Sequence, residues 1–160
     1  MCACSYRRRQ DSVTSDGLSY VDVKNIPKKY AIDNLTISVA EILPNNSLQP
    51  FPGGNWNTFN PQNSSENLEK RFVNVNSVST DSNNNLWIVD SGMVGNRTFT
   101  NCSKLVKINL KNNSVEQIYS ISSLNPSAGF ALNDVQIGSR YAFLTESGLG
   151  SIVIINLGNG

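Results

Sequence analysis

The chain has 160 residues, with 13 Lys+Arg against 12 Asp+Glu, a net charge of +1 and 39% hydrophobic residues. That length fits one domain. So even a charge balance gives no electrostatic reason to expect nucleic acid or a membrane surface as a partner, and no apolar run approaches the roughly 20 residues of a spanning helix.

Residues 1–33 show weak periodicity, with breakers at Gly17 and Pro27 and a Lys28-Lys29 pair. They read as a poorly structured N-terminal tail with one short strand over 18–23. Arg7-Arg8-Arg9 is not followed by the apolar stretch of about 7–15 residues that a secretory signal requires. Cys2 and Cys4 beside those arginines read either as a lipidation tail or as an unstructured start. The Cys-Ala-Cys spacing is wrong for a zinc knuckle.

The domain proper spans 34–160. Ile37, Val39 and Glu41-Ile42-Leu43 alternate as a strand. Pro44-Asn45-Asn46-Ser47 makes a turn, and residues 48–51 form a second strand with Pro50 and Pro52 at its edge. Residues 52–70 are rich in Gly, Asn, Pro and Ser, which predicts a long connection anchored on the core by Trp56 and Phe59. Residues 72–80 are the next strand and 81–85 a hairpin loop. Residues 86–90 are nearly all apolar, as expected of a strand buried on both faces. Residues 92–104 form a polar insertion holding Cys102, which is either unpaired, bonded to a tail cysteine or partnered outside this chain. Residues 105–110 and 115–121 alternate around the turn Lys111-Asn112-Asn113-Ser114. They complete a four-stranded antiparallel blade over 72–121. The next blade starts near Leu132 and has three strands by Leu157. No helix-period segment appears, so the class is all-β.

The chain also repeats itself. Asn76-Ser77-Val78, Leu86-Trp87-Ile88-Val89-Asp90-Ser91-Gly92 and Leu105-Val106-Lys107-Ile108-Asn109-Leu110 return in the same order about 57 residues later. The second copy reads Asn133-Asp134-Val135, Tyr141-Ala142-Phe143-Leu144-Thr145-Glu146-Ser147-Gly148 and Ile152-Val153-Ile154-Ile155-Asn156-Leu157. A multi-strand unit recurring at this period is the signature of a β-propeller. Two copies do not close a ring, so the expectation is a partial propeller of about two and a half four-stranded antiparallel blades.

These stretches, together with Ile37-Ser38-Val39-Ala40-Glu41-Ile42-Leu43, Phe51-Pro52 and Trp56-Asn57, resemble the major royal jelly protein and Yellow family. The resemblance implies a six-bladed propeller of which this chain is a fragment, and a secreted protein. It further implies binding of small molecules or proteins rather than catalysis. Two alternatives stay open. One is an enzyme: a metal-dependent lactonase-like hydrolase of the gluconolactonase type, or a Yellow-type tautomerase. The other is a truncated gene product with no function of its own.

Candidate residues follow from the repeat. Asn76 and Asn133 open the inner strand of successive copies. Asn133-Asp134 resembles the pair of gluconolactonase-type propellers, in which the Asn binds a divalent cation such as calcium; Asn76-Ser77 lacks the acid. Calcium takes about 6–8 oxygen ligands, so most of such a shell would come from other blades. The alternative is that Asn76, Asn133 and Asp134 satisfy backbone groups at the blade entrance. Asp90 and Glu146 end equivalent strands. They are either an acid-base pair or acceptors for the Ser-Gly turns that follow them. Trp87 and Phe143 are expected in the core between blades.

The absence of histidine removes Ser-His and Cys-His nucleophile pairs and the His-ligated zinc motifs from this chain. Ser91-Gly92 and Ser147-Gly148 also lack the G-x-S-x-G frame of a nucleophile elbow. N-glycosylation sequons stand at Asn34, Asn45, Asn63, Asn96, Asn101 and Asn112, in or beside predicted turns.

Overall fold

The structure is a computed structural model that describes residues 11–13, 19–22, 37–61, 67–94, 97–99, 102–121 and 129–158. It is all-β, built as a partial propeller. The first blade has strand order β1-β2-β3-β4, with β1 Asp11–Val13, β2 Ser19–Asp22, β3 Val39–Ile42 and β4 Leu48–Pro50. The second blade contains β5 Val75–Thr80, β6 Asn85–Asp90, β9 Lys104–Asn109 and β10 Ser114–Ser120, each antiparallel to the next. Between β6 and β9 a two-stranded hairpin is formed by β7 Met93–Val94 and β8 Arg97–Thr98. The third blade is β11 Leu132–Ile137, β12 Tyr141–Glu146 and β13 Ser151–Asn156. No helix among the described residues is long and apolar enough to cross a membrane.

β5 contacts β11 and also β1 and β2, so β1, β5 and β11 are the inner strands of successive blades. Two apolar layers hold the blades together. Leu86 and Ile88 of β6 join Val39, Phe51, Phe72, Val75 and Val78 between the first and second blades. Trp87 and Val89, on the opposite face of the same strand, join Leu105, Leu132, Val135, Ala142 and Leu144 between the second and third. This double burial explains why β6 shows no polar alternation: all six of its residues are buried.

Asp81 builds the β5–β6 turn. Its Oδ1 accepts the backbone N–H groups of Asn83 (2.8 Å) and Asn85 (3.0 Å), and its Oδ2 accepts the Trp87 Nε1–H (2.9 Å). Asn84 takes the left-handed conformation, with φ 61°, which Asn tolerates better than most residues. In the connection before β5, Asn57 is buried. It accepts from the Ser38 and Val39 N–H groups (2.8 and 2.9 Å) and donates to the Phe51 carbonyl (3.0 Å). Trp56 rests on Phe72 with ring centroids 4.9 Å apart, as the anchoring role required.

The fold departs from the sequence reading in four places. Asp11–Val13 is a strand where the sequence pattern predicts a poorly structured tail; a three-residue strand is held by pairing with β2 and carries too short a pattern to detect. β2 falls within the strand expected at 18–23, and the rest of the tail lies outside the described residues. β5 begins at Val75 rather than at 72, because the N–H of Phe72 goes to the Trp56 carbonyl (2.7 Å) and those of Val73 and Asn74 go to the Asp90 carboxylate. The 92–104 insertion contains strand pairing, not loop alone. Finally, Phe143 lies open rather than packed between two blades of the described residues. It is 42% exposed, whereas its repeat equivalent Trp87 is 3% exposed. Trp87 faces the third blade, but Phe143 shares an open sheet face with Tyr141, Ile152 and Ile154, and no described residues cover it.

Candidate functional site

Asp90 and Glu146, the two carboxylates at equivalent strand ends, do the same structural job. Asp90 is fully buried. Its Oδ1 accepts the N–H of Asn74 (2.8 Å) and Gly92 (2.9 Å), and its Oδ2 accepts the Val73 N–H (2.8 Å) and the Lys104 ammonium (3.0 Å). Lys104 is itself 1% exposed and also donates to the carbonyls of Leu68 (3.2 Å) and Cys102 (3.0 Å). Glu146 Oε1 accepts from the N–H groups of Ala131 and Gly148, each at 2.7 Å. Its Oε2 accepts from the Leu149 N–H (2.8 Å) and the Ser151 hydroxyl (3.2 Å). Burial pushes the Glu146 carboxyl up, but these donors outweigh it and hold the group below its ordinary range. Of the two sequence readings, the one in which these acids accept backbone hydrogen bonds is what the geometry shows.

The turns after these carboxylates need glycine for space. Gly92 has φ +64°, and a Cβ there would lie 2.6 Å from backbone atoms of Cys102 and Ser103. At Gly148 a Cβ would collide with the Gly129 carbonyl oxygen. Ser91 and Ser147 donate their backbone N–H to the carbonyls of Asn74 and Ala131, both at 2.9 Å. The repeat therefore encodes a carboxylate-Ser-Gly clasp that ties each strand end to the approach of its inner strand.

The inner strands carry the remaining candidates. β5 and β11 shift register at the same place, between Val75 and Ser77 and between Leu132 and Asp134. Asn76 and Asn133 are therefore equivalent bulge residues, a position that frees a side chain from the ladder. Asn76 Nδ2 donates to the Leu132 carbonyl (2.6 Å), and the Ser77 hydroxyl donates to Asp134 Oδ1 (2.7 Å). The serine standing where the second copy has an acid thus reaches across to that acid. Asp134 Oδ1 also accepts the Val135 N–H (2.8 Å), and the Asp134 N–H goes to the Thr145 hydroxyl (3.1 Å). Asn133 is half-buried, and its side chain makes no hydrogen bond among the described residues.

Beside this junction lies a cavity of about 220 Å³. Ser79, Asp134, Gln136 and Thr145 give it polar walls, and Phe143 and Ile152 an apolar one. Sequence reasoning singled out Asp134 and missed Ser79, Gln136 and Thr145. Their alternation along β5, β11 and β12 looks like any solvent-facing strand, and only strand adjacency groups them. Asp134 and the two bulge amides are also the residues proposed for a divalent cation. No group of three His, Cys, Asp or Glu side chains able to hold a metal gathers among the described residues. A calcium shell takes about 6–8 oxygens, so the described residues do not make a cation site by themselves.

A larger cleft of about 570 Å³ opens at the opposite, hairpin end of the second and third blades, against Asp81, Asn83, Lys107, Tyr119 and Ser139. Its polar groups are largely committed. Asp81 is filled by the turn bonds described above, and Lys107 pairs with Glu116 at 2.8 Å. Tyr119 donates to the Leu157 carbonyl at 3.2 Å and stacks on the buried Trp87 at 6.1 Å.

Of the sequons, Asn45 and Asn112 are described and exposed. Asn34, Asn63, Asn96 and Asn101 lie outside the described residues. Cys102 is a buried thiol, pushed up to about 11 by burial against the pull of Lys104. A family model described as major royal jelly protein matches residues 73–153, just over half of the chain. No curated protein matches it.

Proposed function

The chain belongs to the major royal jelly protein family, and on that premise we propose that it is an extracellular glycoprotein that binds a small polar molecule beside its inner strands. The observation that carries the reading is Asn133. It stands at a bulge on an inner strand, half-buried, with donor and acceptor both unspent on the described residues. Its counterpart Asn76 is consumed in holding the third blade. The cavity lined by the next residue, Asp134, with hydroxyl, amide and carboxylate groups and a Phe143–Ile152 wall, suits a ligand with several hydrogen-bonding groups and one apolar face. Asp90 and Glu146 are occupied in clasping the fold, so binding rather than acid-base chemistry is the reading they favour. Extracellular placement is carried by the family.

The test is saturation-transfer NMR of the full chain against a panel of small amines, polyols and hydroxy acids. At least one class is expected to bind. Asn133→Ala and Gln136→Ala are expected to weaken it at least tenfold, while the unfolding midpoint stays within a few degrees of the parent chain. Binding unchanged in both variants would refute this site.

A further inference from the structure

We propose that Asn45 and Asn112 carry N-linked glycans, placed by one recurring turn on successive blades at the end of the propeller opposite Asn133. The inference rests on the extracellular reading above and adds which asparagines are modified and where the sugars stand.

The sequence Leu43-Pro44-Asn45-Asn46-Ser47 joins β3 to β4, and Leu110-Lys111-Asn112-Asn113-Ser114 joins β9 to β10. The two turns match in detail. Asn46 and Asn113 both adopt positive φ, at 62° and 56°. Asn45 Oδ1 accepts the Ser47 N–H (3.0 Å) and hydroxyl (2.7 Å). Asn112 Oδ1 accepts the Ser114 N–H (3.1 Å) and hydroxyl (2.7 Å). In each case the acceptor oxygen is held by the sequon serine, and the amide nitrogen makes no hydrogen bond among the described residues.

Asn67 and Asn156 also hold Oδ1 on a backbone N–H two residues on, but neither stands in a sequon. Asn57, Asn74, Asn76, Asn85 and Asn109 all spend Nδ2 as a donor to a carbonyl, a hydroxyl or a carboxylate. Both turns are exposed along their length, from Pro44 to Ser47 and from Lys111 to Ser114, which leaves room for a bulky group. The sequon at Asn101 differs, because its serine, Ser103, is 1% exposed and donates to the Ser91 carbonyl at 2.8 Å.

The transfer joins Nδ2 to the anomeric carbon of an oligosaccharide carried on a lipid diphosphate. The C–N bond forms as the C–O bond to phosphate breaks. The diphosphate leaves with the electron pair, and the amide nitrogen gives up one proton. The host cell supplies the lipid-linked donor, and its oligosaccharyltransferase catalyses the transfer.

The register sets where the sugars stand. Asn109 pairs with Ser114 at the hairpin end of the second blade, whereas Val75 pairs with Asp90 at the other. Leu132, next to Asn133, pairs with Glu146 at that second end. Glycans on Asn45 and Asn112 therefore share one end of the propeller, and the Asn133 bulge lies at the other, so modification does not obstruct the proposed ligand site.

The experiment directs the full chain into the secretory lumen of a eukaryotic host with a cleavable leader. Total lumenal protein is treated with peptide-N-glycosidase in heavy-oxygen water, and the heavy label is mapped by peptide mass spectrometry. Because the leader supplies entry and retained chains are counted, the result does not depend on native export or on release. A failure of native export would bear only on the extracellular reading. Heavy aspartate is expected at positions 45 and 112. Ser47→Ala and Ser114→Ala are each expected to remove one glycan from the gel mobility while leaving the other in place. Lack of label at either position in the parent chain overturns the proposal.

Discussion

Replacing Asp90 tests whether the carboxylate clasp holds the second blade together. Asp90→Asn removes the charge that faces the Lys104 ammonium. It also turns an acceptor of three backbone N–H groups into an amide with one acceptor oxygen. Both side chains of the ion pair are essentially inaccessible to solvent, and breaking a buried pair from one side costs about 3–5 kcal/mol. Lys104→Met should cost less, because Asp90 keeps its three backbone donors. The double variant carries no stranded charge and should recover roughly 1–3 kcal/mol of the summed losses, the coupling typical of contacting partners. For a chain of this size, the Asp90→Asn loss corresponds to a fall of roughly 6–20 °C in unfolding midpoint. Urea titration followed by tryptophan fluorescence gives the free energies, with a constant slope confirming that the transition itself is unchanged. Additive single effects within about 0.5 kcal/mol, or an Asp90→Asn cost below about 1 kcal/mol, would refute the clasp.

Trp87→Ala should cost about 3–5 kcal/mol, whereas Phe143→Ala at the equivalent, open position should stay within about 0.5 kcal/mol; similar losses in the same titration would mean that the third-blade face is covered. Glu146 has a depressed carboxyl in the fold. Its contribution is therefore present above the ordinary value of 4.5 and lost as pH falls through the lower folded value. Glu146→Gln should accordingly flatten the acid limb of a stability-against-pH curve below about 4.5, and an unchanged limb counts against the backbone donors as the cause. Cys102, with its thiol raised to about 11 and buried, should resist iodoacetamide at neutral pH until the chain unfolds. Peptide mapping with and without urea reads this directly, and labelling of the native chain at the unfolded rate would contradict the burial.

Much of the fold was legible because its signals are local or periodic. The 57-residue repeat marked Asn76 with Asn133 and Trp87 with Phe143, and the apolar run through Leu86 and Val89 marked a strand packed on both sides. Asp90 and Glu146 showed their turn-capping role by standing directly before Ser-Gly. Lys104 was not legible, because a lysine beside a polar insertion reads as surface. Its burial comes from Asp90, fourteen residues earlier, and from the Leu68 carbonyl across the blade. Likewise nothing local to Ser77 announces a bond to Asp134, which lies 57 residues away.

By itself, then, the sequence determined the main strand order of the second and third blades, the blade repeat and the turn chemistry, since alternation, glycine and asparagine act over a few residues. Tertiary structure decided how equivalent residues diverge. Among the described residues Trp87 is buried and Phe143 open, and Asn76 is spent while Asn133 is not, because the environment of each depends on which blade lies against it. A strand's pattern encodes what it offers to a neighbouring sheet, but burial and hydrogen bonding also require the neighbour, which the chain brings from far along its length.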